Sequence, residues 1–544
     1  MSAVVDASGL AEVVREAGRR YGTRPLYVTE DGSVLTYQQL DTGSDQLAAG
    51  LAHRGGGAGG GGGGAGVGVG VGVGDVVALL LPSGPHYALC YTALAKLGAI
   101  TAGVNERLSP PERRACVSVA HPRLVIGTPA LLDGIDATSL PGAAEVVAVE
   151  LSSPVRPDDA LGSLAPLAAP GASARDVPTP DSDPDRPVAI VFTSGTTGMP
   201  KGAVFGGRQL DAISEVDGAK RWGGGGRGIS STSFAHLGTM TKLPQVLRSG
   251  GTSYVMAKWS AAAALELVER HRITTIGGIP TQVALMLRHE RFPATDVSSV
   301  GLVALGGGPS TASLVREARA GFGAPVVVRY TCTEAGVGLG TMPDDPDEDA
   351  EETVGRARPG VELTVRDETG GTLPVGEVGE VCLKSAASMT GYWRDPEASA
   401  AVFTADGAVR TGDLGYLDER GRLHLSGRAK EMYVRGGYNV FPLEVEAVLE
   451  DHPQVAHVAV APRPDPVMGE IGVAVVVVSP GGDVPSLEAL RHFARPRLAA
   501  HKLPEALVVV GELPRTAMEK VDRRALAEIV AGTADARVSP SAER

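Results

Sequence analysis

Cysteine is scarce and scattered in this chain. Cys90, Cys116, Cys332 and Cys382 are the only four among 544 residues, and no two of them form a C-x-x-C pair. That spacing argues against a disulfide framework and a structural zinc site, and it fits a reducing, cytoplasmic setting. Positive charge is outnumbered. The 50 lysines and arginines stand against 63 aspartates and glutamates, for a net charge of −13, which argues against a nucleic-acid partner. No uninterrupted apolar run reaches the length of a membrane span. The opening MSAVVDASGL has no basic stretch followed by an apolar core, so no signal peptide is expected. Aromatic residues are only 4% of the chain, beside abundant glycine and alanine, which reads as the bias of a GC-rich genome.

Core-forming residues are plentiful. At 43% hydrophobic the chain is globular, and its length suggests several units of about 150 residues. Strands and helices alternate from Asp75 onward, the pattern of an α/β fold. Residues 55–74, GGGAGGGGGGAGVGVGVGVG, read as a low-complexity loop. G-x-G-x-x-G matches there and at Gly223–Gly228, but neither match has the strand-before, helix-after context of a dinucleotide site. The acidic run Asp344–Glu352 reads as a solvated loop. Residues 360–426 read as short strands with Gly and Asp turns, a small β subdomain. A polar joint, Gly427-Arg428-Ala429-Lys430, precedes a compact α+β stretch.

The most telling stretch is Val188–Phe205, VAIVFTSGTTGMPKGAVF. An apolar strand opens into Thr193, Ser194, Gly195, Thr196, Thr197 and Gly198, and then Lys201 and Gly202. The glycines allow tight turning with N–H groups aimed at an anion. Four hydroxyls and one ammonium join them, which is what a polyphosphate requires. The spacing is not that of the common P-loop, because Pro200 intervenes and Gly202 follows the lysine.

Other segments follow in a fixed order: LTYQQL at 35–40, Phe234-Ala235-His236-Leu237-Gly238, LGGGPS at 305–310 and Tyr330–Glu334. After these come Thr411-Gly412-Asp413-Leu414-Gly415, GRAKEMYVRGGYNVFPLEVE at 427–446, and PRTAMEKVDRR at 514–524. Together with the glycine–hydroxyl loop, this order resembles the adenylate-forming superfamily, especially its acyl-CoA synthetases, from about residue 8 to 530. The resemblance implies a large N-terminal domain (1–427) of two α/β sheets plus a small β subdomain. It also implies a hinge at 428–430 pivoting on Lys430, a small mobile α+β domain (431–531) and a flexible tail (532–544). The molecule is expected as a monomer or homodimer.

The implied chemistry joins a carboxylic acid to the α-phosphate of ATP, releases pyrophosphate, and passes the acyl group to coenzyme A. An acyl carrier protein is the alternative thiol, and an amine or nitrite the alternative nucleophile. The resemblance gives ATP to Thr193–Gly198 and Lys201, with Gly307, Gly308, Tyr330, Thr331 and Thr333 around adenine. Asp413 and Arg428 fall to ribose or phosphate oxygens. Glu334 and Thr196 would take Mg²⁺, a hard cation that prefers oxygen ligands. Lys520 would stabilise the charge of the adenylation step. Gly436 and Gly437 would face coenzyme A. Phe234, His236, Thr239, Gly277, Gly278, Gly306, Gly307 and Val337 would wall the acyl pocket, with His236 an aromatic gate rather than a general base. Ala235 stands where amino-acid-loading relatives carry an aspartate, which disfavours an α-amino acid. The small, mostly apolar walls suit a fatty, aryl or polycyclic acid.

Three departures stand out. Thr331 and Glu519 replace usual glycines, and the glycine tract is an addition. The first two keep a weakly active nucleotide-binding homologue as a further alternative.

Overall fold

The computed structural model describes residues 9–54, 70–141, 144–151, 155, 159, 161–193, 199–516 and 520–533. Most of the glycine tract (55–69), the loop residues Ser194–Gly198, Glu519 and the tail beyond 533 lie outside the described residues.

The strand Val76–Leu80 shows how the interior is organised. Val77 and Leu79 enter one apolar cluster, while Val76, Ala78 and Leu80 enter another. Side chains alternate across a strand, so an unbroken VVALL run is what a strand covered on both faces requires. It lies inside a seven-stranded sheet. Pro187–Thr193, Ile100–Gly103, Val76–Leu80, Leu124–Gly127 and Glu145–Ala148 run parallel there. The antiparallel Lys201–Gly206 and Gly391–Tyr392 complete one edge.

A nine-stranded sheet carries six parallel strands: Val326–Tyr330, Leu302–Gly306, Thr275–Gly278, Arg227–Ser230, Thr252–Val255 and Pro25–Thr29. Helices Leu10–Tyr21, Tyr37–Ala52 and Pro85–Leu97 share a single core with both sheets, drawing in Leu26 and Tyr27 from one and Val77 and Val191 from the other. LTYQQL proves to be a helix start. The Thr36 hydroxyl accepts from Gln39 N, and the Gln39 side chain accepts from Thr36 N, a reciprocal cap on Tyr37–Ala52.

Contacts between strand ends join the two sheets. Glu106 follows Ile100–Gly103 and accepts hydrogen bonds from the hydroxyls of Ser83 and Ser233. Ser83 in turn accepts from Phe234 N, and Arg107 donates to Ser231 O. The C-terminal ends of parallel strands from both sheets therefore open on one crevice, where α/β sheets gather their ligands.

After residue 360 the strands turn antiparallel. Glu362–Arg366, Gly379–Lys384, Val409–Leu417 and Leu423–Arg428 form a four-stranded sheet. Beyond Arg428 a five-stranded sheet forms from Tyr433–Arg435, Tyr438–Val440, Val455–Asp465, Gly469–Val478 and Ala506–Val509. It has its own apolar clusters, one of them including Leu490 and Ala494 of the helix Leu487–Ala494.

Two sequence expectations need correction. The acidic run is not a solvated loop. Residues Asp347–Glu352 form a short helix, whose first turn is a favourable place for acids. The Asp349 side chain is fully buried, with Arg422, Arg356 and Arg420 at 2.7, 2.8 and 3.2 Å. The alternation of strands and helices expected from Asp75 onward is also broken at Val188–Phe205, where a second strand follows the first. Lys201–Gly206 returns antiparallel, pairing Thr193 with Lys201, and the helix Gly207–Gly218 starts only after it. Gly202 permits this hairpin, because a Cβ there would stand 2.6 Å from Ile190 Cγ2.

Between the helices lies a buried cation. Lys96 Nζ is 2.7 Å from each of Asp41 Oδ1, Asp45 Oδ1 and Asp41 O, with none of its side chain exposed. Lys96→Met takes away the nearest cation of both carboxylates, leaving the buried Asp45, among the described residues, with only Arg15 at 3.8 Å. Breaking such a buried pair costs about 3–5 kcal/mol, so the urea midpoint of the variant should fall clearly below that of the parent. An unchanged midpoint would show that the carboxylates are relieved some other way.

Candidate active site

The crevice brings together residues that lie far apart in sequence. Thr193 and Lys201 are paired across neighbouring strands, and Ser194–Gly198 between them lie outside the described residues. Lys201 Nζ stands 5.1 Å from the centre of the Tyr392 ring. The Tyr392 hydroxyl donates to Glu334 Oε1 at 2.7 Å, and Met389 N donates to Glu334 O at 2.9 Å. Lysine and glutamate are thus joined through a tyrosine that the sequence reading did not single out. The only signal for it was an aromatic residue after a glycine, in the short strand Gly391–Tyr392 that pairs with Lys201–Gly206.

Magnesium can be tested against these donors. Among the described residues, Glu334 Oε2 has no hydrogen-bond partner, and no group of three acidic, histidine or cysteine side chains forms a cage. One carboxylate with an open oxygen fits Mg²⁺, which is usually held by one or two carboxylates together with phosphate oxygens and water.

The Tyr330 hydroxyl donates to Asp413 Oδ2 at 2.6 Å, and Arg428 Nε stands 3.0 Å from Asp413 Oδ1. Asp413 and Arg428 are direct cross-strand partners, so the sheet itself sets this pair. Burial pushes the Asp413 carboxyl up, against the pull of Arg428, Tyr330 and Lys520. Each carboxylate oxygen keeps a second lone pair, so Asp413 can still accept from two ligand hydroxyls. Thr331 is exposed and avoids left-handed φ, so no glycine is needed there; Gly336, at φ 71°, takes the left-handed turn of that loop instead. A Cβ on Gly336 would meet Ala387 O at 2.3 Å. Thr333 is half-buried, while Gly307 and Gly308 are exposed at the end of their strand.

Lys520 approaches from the far side of the joint. Its loop closes at the base through Thr516 N to Lys520 O (2.7 Å) and Asp522 N to Pro514 O (2.8 Å). Asp522 then caps the helix Arg523–Gly532. Arg523 is held by both oxygens of Glu446, at 2.6 and 3.0 Å, and by Glu431 at 3.1 Å. Lys520 still meets solvent, yet surrounding protein first and Arg428 second lower its pKa, with Asp413 opposing. Its charge reaches Asp413 and His236, placing residues from both sides of the joint in one electrostatic site.

Residues 67–393 match the family model described as AMP-binding enzyme, and residues 444–520 match the AMP-binding enzyme C-terminal domain. The chain belongs to the AMP-binding enzyme family.

Among the relatives of this AMP-binding enzyme is an indoleacetate–CoA ligase from Aromatoleum aromaticum. It is 33% identical, over 84% of this chain and 88% of that protein. A fatty acid–[acyl-carrier-protein] ligase, ScoC, from Streptomyces coeruleorubidus is 32% identical over 93% of each. The crystal structure of ATP-bound MatB from Rhodopseudomonas palustris matches with a TM-score of 0.82 at 30% identity, covering 95% of this chain and 98% of that one. The expectations of an adenylate-forming fold and an AMP-forming acid–thiol ligase are met.

The residues named for the acyl pocket differ in accessibility. Phe234 and Val337 are core residues, 1% and 3% exposed. Phe234 packs on Tyr27 and Tyr87, with ring centres at 5.1 and 6.0 Å. His236, Thr239, Gly278 and Gly306 are half-buried, and Gly277 is exposed. Gln282 fills the space at Gly278, 2.9 Å from where a Cβ would stand, and bonds to Ser231. The sequence reading missed this polar contact, as it did Ser83, Glu106 and Ser233. Lys430, Gly436 and Gly437 are exposed, and both glycines have positive φ between Tyr433–Arg435 and Tyr438–Val440.

Burial, and secondarily the Lys520 charge, bring the pKa of His236 down to about 4. The AMP-binding enzyme therefore holds this imidazole neutral at physiological pH. The unfolded chain binds the proton first as pH drops below about 6.5, so this residue removes stability on acidification. A nuclear magnetic resonance titration of the ring should show no midpoint between about pH 5 and 8. Lys520→Gln should raise the midpoint only slightly, because burial is the larger cause. A midpoint near 6.5 in the parent would overturn this assignment.

Proposed function

We propose that the protein activates a carboxylic acid as its acyl-adenylate and transfers the acyl group to the thiol of coenzyme A. The observation that carries this reading is the buried Asp413 held by Tyr330 and Arg428 at the joint, with Lys520 from beyond the joint acting on the same carboxylate.

In this reading, Thr193, Lys201 and the residues between them hold the β- and γ-phosphates. Asp413 accepts the ribose hydroxyls with its remaining lone pairs, and Arg428 keeps its carboxylate ionised despite burial. Tyr330 lies beside the adenine with its hydroxyl tied to Asp413. Glu334, with Thr196, would hold Mg²⁺, which supplies neutralising charge to the polyphosphate when bound. The attacking carboxylate and the α-phosphate repel each other, and the Lys520 ammonium lies between them to offset that repulsion. Neutral His236 borders the acyl group without adding charge. The acid is a fatty, aryl or polycyclic one, consistent with relatives named for indoleacetate and for fatty acids. After adenylation, the part beyond Arg428 turns about Lys430. Lys520 withdraws and Gly436 and Gly437 come toward the thiol.

A carrier-protein thiol is the second reading, supported by the ScoC relative that spans 93% of both chains. Carboxylate-dependent ATP–pyrophosphate exchange across a panel of acids tests the first half-reaction. Mass spectrometry with coenzyme A or carrier protein then separates the acceptors. Lys520→Ala should lower exchange by at least about 10²-fold, while thioester formation from supplied acyl-adenylate stays near the parental rate. Equal loss of both steps would contradict a lysine devoted to adenylation, and absence of exchange with every acid would overturn the ligase reading.

A further inference from the structure

We infer that Tyr392 is a positioning residue with two tasks: its hydroxyl orients the Glu334 carboxylate toward a divalent cation, and its ring keeps the Lys201 ammonium beside the polyphosphate. The inference rests on the reading above that places Glu334 at the metal position.

The backbone around Tyr392 is clamped from several sides. Gly391 and Tyr392 pair with Val204 and Ala203, on the same strand that begins at Lys201. Tyr392 N donates to Ser399 Oγ at 2.8 Å, and Ser399 Oγ donates to Asp395 O at 2.6 Å. Asp395 caps the helix Pro396–Val402. Trp393 N donates to Gly202 O at 2.7 Å, and its indole donates to Ala120 O at 3.1 Å. The ring is therefore presented from a fixed strand, whose register is locked to that of the phosphate-loop lysine.

Two consequences follow from elementary chemistry. A neutral phenol donating to Oε1 fixes the rotation of the carboxylate and leaves Oε2 available. An ordinary phenol titrates near pH 10, so the hydroxyl remains a donor throughout the working pH range. The ring also stands between two opposite charges that would otherwise attract. Among the described residues Lys201 and Glu334 form no ion pair, and the ammonium sits over the π face instead. A direct Lys201–Glu334 pair would consume both the carboxylate needed by the cation and the ammonium needed by the phosphates.

The test is calorimetry of ATP binding to the full-length protein, with and without Mg²⁺, alongside the Mg²⁺ dependence of pyrophosphate exchange. Tyr392→Phe removes one oxygen and keeps the ring. It should leave Mg²⁺-free ATP affinity within about twofold and raise the half-saturating Mg²⁺ concentration about three- to tenfold, the range for one hydrogen bond of ordinary net strength. Tyr392→Leu should in addition weaken ATP binding without Mg²⁺, because Lys201 loses its support. Combined with Glu334→Gln, the phenylalanine substitution should add nothing, since both act on one carboxylate. If Glu334→Gln shifts the Mg²⁺ requirement and Tyr392→Phe does not, the inference is overturned while the metal reading stands. If Glu334→Gln leaves the requirement unchanged, the metal reading falls, and the inference with it. Should the leucine variant fail to fold, the phenylalanine variant carries the test.

Discussion

A carboxylate buried beside a joint is costly to keep ionised, and the site depends on Asp413 remaining so. The residue is 6% exposed, and burial drives its pKa upward. Three partners offset that cost, each from a different part of the chain: Arg428 across the strand pair, Tyr330 from the end of a nine-stranded-sheet strand, and Lys520 from beyond the joint. Each is therefore tied electrostatically to the others. The two cations repel, as the lowering of the Lys520 pKa by Arg428 shows, and the shared anion offsets their repulsion.

The sequence made the parallel sheets, the antiparallel subdomain and the family legible, because these depend on local pattern. Val76–Leu80 announces a doubly covered strand in its own five letters, and Thr36 with Gln39 announces a helix start. The misses share a physical cause: they depend on partners distant in sequence. Nothing within Asp344–Glu352 reveals that Arg420 and Arg422, some 70 residues on, neutralise Asp349. Tyr392 looks like an ordinary strand aromatic until Glu334, 58 residues earlier, is found at its hydroxyl. Phe234 carries the opposite lesson. Its motif suggested a pocket wall, but the sequence could not reveal that Tyr27 and Tyr87 enclose it.

The geometry also constrains how Lys520 can leave the crevice. Its loop is closed at the base by two backbone hydrogen bonds, and Arg523 anchors the next helix through both oxygens of Glu446. Glu446 is itself 7% exposed and accepts from Val460 N, so this anchor lies within the C-terminal sheet unit. At the joint the restraint is lighter. Ala429 N donates to Gly412 O, and the exposed Lys430 is followed by a turn in which Glu431 N and Met432 N donate to Arg428 O. Each such bond is worth about 1 kcal/mol net. In the proposed cycle the whole unit would turn and carry the lysine with it, leaving Asp413 and Arg428 behind as a pair. The nucleotide would then keep its ribose contact while the charge assigned to adenylation departs.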